Sequence, residues 1–521
     1  MKKNNKIKTK SILAYAMILV SFSACMDYDA INTPKYLPQD LPIGNLLEQM
    51  QLKVYPVQEN DYQYCQSLIG DVYGRYMTIT KPRNTSFYQS YATFNASDEW
   101  LNAPFDRVFG TLYPNWIEIR EKTEGQGVTF AWAQILRVAA MQRMTDLWGP
   151  IPYSQVATGS IQVAYDSQED VYKNMFIDLD NAIGVLSDYA LTYPTDRPME
   201  DYDRVYGGDY TKWVRFANSL KLRMAMRIVY ADPALAQRKA EEAVSHPIGV
   251  IERNDDNASI AFTPNPIKIM WDNYKDARAC ADIVTYMQGY NDPRMSAYFL
   301  PHTIGAAVPA LYHGLRSGID FTSHDWALTY SAPNFNSTEA KTMWMNAAEI
   351  AFLKAEGAMR SWNMGPGTAE SLYNEGIKLS FEQHGATGYD TYIANNTWTQ
   401  APYVDPTFSE GAQSTITIRW NDSALDDVKL ERIITQKWIA MWPLGQEAWS
   451  EHRRTGFPRF FPVRENRSSD ATLTTNLASR IPFPPNERIV NAANYTDAVS
   501  KLEGADSYGT RLWWDQNPNK P

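Results

Sequence analysis

Three stretches interleave aromatic rings with amides and charges: Arg83, Asn84, Phe87, Tyr88 and Tyr91; then Trp271, Asp272, Asn273 and Tyr274; then His324, Asp325 and Trp326. A Trp or Tyr ring is a broad, rigid platform with a polar edge, and a neighbouring amide or charge can hold the polar groups of whatever stacks on it. That chemistry is recognition, with no bond made or broken. Most of the 16 Trp, 32 Tyr and 19 Phe residues must pack in the core or under loops, so each ring also has a plain structural reading.

Reactive patterns are scarce. The chain carries no HExxH, no GxSxG and no Walker or Rossmann glycine pattern, and six His are too few to suggest a metal cluster. Glu451, His452, Arg453 and Arg454 place an acid, an imidazole and two guanidiniums side by side. Paired carboxylates of a glycosidase have no fixed spacing, so the abundance of acids decides nothing. Asp255 and Asp256 offer oxygens to a structural Ca2+, but EF-hand spacing is absent, and no cofactor is expected.

The elements that position these groups are helices in pairs, at about 128–190, 209–247, 345–385 and 427–455. In the first, Trp132, Leu136, Ala140, Met144 and Trp148 recur every four residues, with Gln134, Arg137, Gln142 and Arg143 off that face. Gly149, Pro150 and Pro152 stop it, and Val171, Met175, Leu179, Ile183 and Leu186 line its partner. The second sets Trp213, Phe216, Leu220, Met224 and Ile228 against Lys212, Arg215, Lys221, Arg223 and Arg227, and continues through Ala236, Ala240 and Ala243. The third alternates Ala351, Ala355 and Ala358 with Tyr373, Ile377 and Phe381, so that small residues admit close approach and rings fill the gaps. The fourth runs from Leu430, Ile434 and Trp438 to Pro443 and resumes at Gly445. Stacked pairs of this kind make an α-solenoid. The predicted fold is therefore all-α dominated, with four tetratricopeptide-like pairs, a loop-rich face and a few short strands, one at Ser414 to Trp420. The loops are about Phe87 to Pro114, Pro264 to Met343, Ala386 to Asp426 and Phe457 onward, and binding residues favour such places.

Residues 1–24 read as a signal peptide, since Lys2, Lys3, Lys6, Lys8 and Lys10 precede the apolar run Ile12 to Val20. That run is too short to span a bilayer. Phe22-Ser23-Ala24-Cys25 resembles a lipobox, which makes Cys25 the acylated residue; ordinary secretion, with Cys25 removed or left a thiol, is the alternative. Residues 25–41 read as a tether with Pro34 and Pro38, and 42–521 as one domain without an internal linker. Losing the leader removes five Lys and no acids from 49 basic and 59 acidic residues, leaving a net charge of -15. Nucleic acid is thereby excluded as a partner, since phosphate neutralisation needs a basic face. Cys65 and Cys280 are too few for a disulfide framework and form either one bridge or two buried thiols.

Several phrases in order resemble the SusD/RagB family of Bacteroidetes outer-membrane nutrient-binding lipoproteins, in its SusD-like branch. They are Asp146-Leu147-Trp148-Gly149-Pro150-Ile151-Pro152-Tyr153, Lys212 to Arg223, Asn291-Asp292-Pro293-Arg294-Met295, Ala348 to Glu356, and Gly445 to Gly456. The resemblance implies four tetratricopeptide-like pairs, an oligosaccharide or peptide ligand on the loop face, and a SusC-like TonB-dependent β-barrel that the protein covers as a hinged lid. It makes the Glu451–Arg454 group structural. Asp27 and Asp29 are similar to the acidic signal for surface export in that phylum. The expected activity is surface capture of an oligosaccharide, outer-membrane anchored and non-enzymatic, with peptide binding and surface glycoside hydrolysis as the alternatives.

Overall fold

The computed structural model describes residues 41–521 apart from 83–88, 161, 306, 307, 309, 337–339, 471, 472 and 474–476. Cys25, the leader, nearly all of the tether, and four site candidates, Arg83, Asn84, Phe87 and Tyr88, lie outside the described residues. The helices that build the body are α1 (Ile43–Val54), α2 (Asp98–Lys122), α3 (Gly127–Trp148), α4 (Gln168–Thr192), α5 (Tyr210–Arg227), α6 (Pro233–Val244), α7 (Ala281–Gly289), α8 (Ala347–Met359), α9 (Ala369–Gln383), α10 (Asp426–Ala440) and α11 (Gly445–Thr455). Short strands are β1 (Met77–Ile79), β2 (Ala258–Ala261), β3 (Ala277–Ala279) and β4 (Lys341–Met345).

Local chemistry starts these helices where they start. Ser97, Ser167, Asp209, Asp232 and Asn346 each accept a first-turn backbone N–H, Pro233 takes the first helical position of α6, and Thr368 and Ser371 cap α9 reciprocally. The apolar faces then bury: Trp132, Leu136, Ala140, Met144 and Trp148 are all inside, as are Trp213, Phe216, Leu220 and Met224. Helices α3 and α4 pack as a pair, α5 packs on α6, and α8 packs on α9.

The polar faces depart from expectation. Arg137, Gln142, Arg143, Lys221, Arg223 and Arg227 are buried instead of solvated. The reason is that α3 touches α1, α2, α5 and α11 as well as α4, and α5 touches α3, α4, α6 and α8, so the parts of both helices that carry these groups are enclosed by neighbours. Charged groups placed there must be paired. Arg223 forks onto Glu349 with both contacts at 2.7 Å, and Arg227 meets Asp146, Glu447 and Glu451. Glu451 also takes Lys437 at 2.9 Å and Arg454 at 2.7 Å, while Arg454 forks onto Glu356. Residues from α3, α5, α8, α10 and α11 thus meet in one ion network.

Two stretches of the chain fold differently from their sequence pattern. Helix α2 crosses most of a region read as loop, and Pro104 and Pro114 lie inside it. Its acidic first turn and Ser97 cap favour a helix, and Trp100, Leu101, Val108, Phe109, Leu112 and Trp116 bury along it. Ser414 to Trp420 makes no strand. Its alternation is real, since Ile416, Ile418 and Trp420 are buried, but side chains take the place of a partner strand: Tyr290 donates to the Ile416 carbonyl, Tyr373 to Ile418 and Arg432 to Thr417. The fourth pair also diverges. Helix α10 lies on α8 and α9, whereas α11 crosses the helical segment Gln63–Asp71, where a Cβ on Gly445 would come within 2.5 Å of the Asp71 backbone nitrogen. Cys65 and Cys280 are free, buried thiols, which settles their pairing.

Candidate ligand-binding site

Strands β1 and β3 pair antiparallel, with Met77 opposite Ala279, Thr78 opposite Arg278 and Ile79 opposite Ala277. The pairing sets Thr80 and Lys81 beside the end of the Trp271 stretch: the Thr80 N–H donates to the Asp276 carbonyl, and Lys81 reaches the Asp276 carboxylate at 3.2 Å. Past β3, the Ala279 N–H donates to the Ser331 carbonyl and the Leu315 N–H to that of Ala279. A three-residue strand thereby gathers loops that lie some two hundred residues apart in sequence.

The second and third aromatic stretches meet here. His324 Nε2 lies 3.0 Å from the Lys275 carbonyl, a contact that requires the ring proton on Nε2. Arg278 ties both loops from beneath, donating to the Trp271, Ala277 and Leu328 carbonyls at 3.3, 2.8 and 3.2 Å. Burial lowers its guanidinium to about 10, against the pull of Asp272. Replacing Arg278 with Met should strand these carbonyls and destabilise the protein by about 1–3 kcal/mol, and faster proteolysis between Trp271 and Leu328 would report it.

Trp271 is half-buried, its Nε1 donating to the Phe335 carbonyl at 3.3 Å while the Lys268 ammonium sits 5.5 Å from its ring centroid. Asp272 is held below the usual carboxylate range by its hydrogen bond from Lys268, with further help from Lys275 and Arg278. Asn273 is exposed and Tyr274 partly so; burial, then Glu59 and Asp276, push the Tyr274 phenol up. Burial also raises the Asp276 carboxyl, against the pull of Lys81. Trp326 is half-buried among Phe321, Tyr330 and Phe408, with ring centroids 5.0–5.9 Å away, and rests on a small core of Leu315, Ile319 and Ala327. The arrangement presents partly open indoles beside fixed charges, which suits stacking with polar clamping.

Tyr91 is a correction. It is fully buried, donates to the Trp100 carbonyl at 2.9 Å and packs on Tyr73 and Trp100, so it belongs to the core and not to an open face. Asp276, Lys81, Gln63 and Arg278 carry the local geometry yet had no signal in the sequence, because strands of three residues leave no readable period.

The other reactive-looking groups are occupied within the protein. Burial drives the His452 imidazole down to about 3, where it is neutral, with Nδ1 at 2.9 Å from the Pro458 carbonyl and the ring stacked on Phe460. Asp256 is buried against Arg215 at 3.0 Å, with Arg253 at 3.8 Å, so arginines take up the carboxylate that a Ca2+ would need. Among the described residues no group of three His, Cys, Asp or Glu is placed to hold a metal ion, and no helix is long and apolar enough to cross a membrane.

The recurrent phrases of the sequence thus build the interior, while the rings sit in loops. The sequence profile of SusD-like proteins, described as the Susd and RagB outer membrane lipoproteins, matches residues 26–515. The chain belongs to the SusD-like family. Solved structures agree over most of the chain. A SusD homolog from Bacteroides uniformis is 39% identical with a TM-score of 0.86, covering 92% of this chain and 100% of its own. A chitin-binding SusD homolog from Flavobacterium johnsoniae is also 39% identical, with a TM-score of 0.87 and the same coverage. A Bacteroides ovatus homolog at 35% identity and a TM-score of 0.84 covers 91% of this chain and 99% of its own. No curated protein matches the sequence closely. The buried ion network of this SusD-like protein draws on four of its five family-like phrases, through Asp146, Arg223, Glu349, Glu356, Glu447, Glu451 and Arg454, which explains why those phrases mark the scaffold and say nothing of a ligand.

Proposed function

We propose that this SusD-like protein is a lipid-anchored surface receptor that binds an oligosaccharide at the loops carrying Trp271 and Trp326 and delivers it to a SusC-like TonB-dependent β-barrel. The observation that carries the reading is the convergence of two ring-bearing loops, locked by Arg278 and His324, on a helical scaffold like that of a chitin-binding relative. Sugar rings offer apolar C–H faces to such indoles, and Asn273 and Asp272 stand close in sequence to hold hydroxyls. The protein acts by binding alone, since Glu451, Arg454 and His452 are consumed by internal partners. A ligand held between lid and barrel favours closure only by its affinity difference between closed and open states.

Titration calorimetry with a glycan panel that begins with chitin oligosaccharides, and with a peptide panel, tests the reading. Glycan binding without cleavage products supports it. Binding to peptides alone replaces the ligand class, and cleavage of a bound glycan replaces the receptor by a hydrolase. Co-purification of a β-barrel from detergent-solubilised outer membrane tests delivery, and the mass of the mature N-terminal peptide tests acylation at Cys25.

A further inference from the structure

A cavity of about 400 Å3 opens beside α11 and the C-terminal stretch, and none of its lining residues belongs to the loops around Trp271 and Trp326. Among the described residues its charged side chains are Arg453, Arg459, Arg511 and Lys520 against Asp515, and Pro521, the last residue of the sequence, lines it as well. That excess runs against the whole chain, whose net charge is -10.

Two of these cations, Arg511 and Arg453, have no carboxylate partner among the described residues. Arg511 is exposed and makes no hydrogen bond or ion pair among the described residues. Arg459 has one ion pair, to Glu431 at 3.4 Å, and its side chain is 40% exposed. Lys520 pairs with Asp515. Arg453 is buried and donates to the Asp146 and Ser479 carbonyls and the Ser450 hydroxyl, yet among the described residues it has no carboxylate in ion-pair range and no partner for its buried Nε. Burial, with the like charge of Arg227 adding to it, lowers its guanidinium below the ordinary value against the pull of Asp146 and Glu447.

Size and wall chemistry narrow the ligand. The volume lies within the range of small-molecule sites, roughly 300–1,000 Å3, and exceeds what one inorganic anion fills. The apolar part of the lining includes the Phe460 ring, which is 9% exposed and has one face stacked on His452 at 4.5 Å between centroids. Guanidinium forks match planar carboxylates, and a ring face matches the C–H side of a pyranose. We propose that this cavity is a second carbohydrate subsite that takes a carboxylated sugar, with Arg511 and Arg459 meeting the carboxylate and Phe460 the ring. The proposal rests on these residues alone and stands whether or not the Trp271 loops bind glycans.

Saturation-transfer NMR and calorimetry with D-glucuronate, D-glucose and inorganic sulfate on the full mature protein provide the test. Glucuronate should bind with saturation reaching its ring C–H protons, and glucose at least about tenfold more weakly, as expected when a charge pair is lost. The double variant Arg459→Glu, Arg511→Glu should lose glucuronate by about tenfold or more, while Arg238→Glu, a change at an exposed arginine that does not line the cavity, keeps it. Both arginines lie at the surface, and if the double variant melts early, Arg511→Glu alone carries the comparison. Absence of glucuronate binding to the wild type, binding unchanged in the arginine variants, or sulfate binding as tightly as glucuronate would each overturn the proposal, the last by reducing the cavity to an anion hole.

Discussion

Replacing Glu451 with Gln will destabilise the protein by about 3–5 kcal/mol, the cost of leaving buried charges unpaired. Three cations close on this one carboxylate: Arg227 at 2.6 Å, Arg454 at 2.7 Å and Lys437 at 2.9 Å, all with side chains almost wholly buried. The surrounding network is otherwise balanced, with Arg223, Arg227, Arg360, Lys437 and Arg454 facing Asp146, Glu349, Glu356, Glu447 and Glu451. Glutamine keeps the shape and one acceptor but leaves a net positive charge that no solvent reaches. Against the total of about 5–15 kcal/mol typical of a folded protein, that loss is severe. Urea denaturation of the two proteins measures it, and a difference under about 1 kcal/mol would refute the account.

The same carboxylates set an acid limit. Burial alone pushes Glu451 up, but Arg454, Lys437 and Arg227 outweigh it and hold the group well below the ordinary range; Glu356 is lowered in the same way by Arg454 and Arg360. Groups with depressed native values bind protons more readily when unfolded, so their contribution is complete above the unfolded value of about 4.3 and disappears as pH falls through the native ones. The wild type should therefore lose stability steeply below about pH 4.3, and Glu451→Gln more gently. Parallel slopes in the two acid titrations would count against the network.

Trp271→Ala should weaken the best glycan ligand by roughly 1–3 kcal/mol, about 5- to 150-fold, by analogy with the stacking of flat rings on aromatic side chains. The substitution is a clean probe, because Trp271 is only half-buried and its indole is held by a single backbone hydrogen bond and one nearby ammonium. Trp326→Ala should weaken binding similarly but lower the melting temperature too, since that ring packs on Leu315, Ile319 and Tyr330. Calorimetry beside thermal melts separates the two effects. Unchanged affinity in both variants would remove these loops from the site.

The residues differ sharply in how much of their role was legible. The helical scaffold was readable, because an apolar residue every third or fourth position must face a neighbour and local caps fix where each turn begins. Helix α2 was not, since Pro104 and Pro114 mimic loop punctuation and only packing along Val108, Phe109 and Leu112 overrules them. The alternation at Ser414 to Trp420 correctly marked a buried side, yet whether a strand forms depends on a partner, and Tyr290, Tyr373 and Arg432 supplied the hydrogen bonds instead.

The sequence by itself determined the helix-dominated class, the family and the net negative charge, all of which are local or additive properties of the chain. Tertiary structure alone decided that Arg223, Arg227 and Arg454 are inside, that Tyr91 is core, and that the Trp271 and His324 loops touch. The physical reason is the same in each case. Burial and convergence depend on which surfaces meet across hundreds of residues, and the contacts that join them, such as the three-residue pairing of β1 with β3, are too short to leave a period in the sequence.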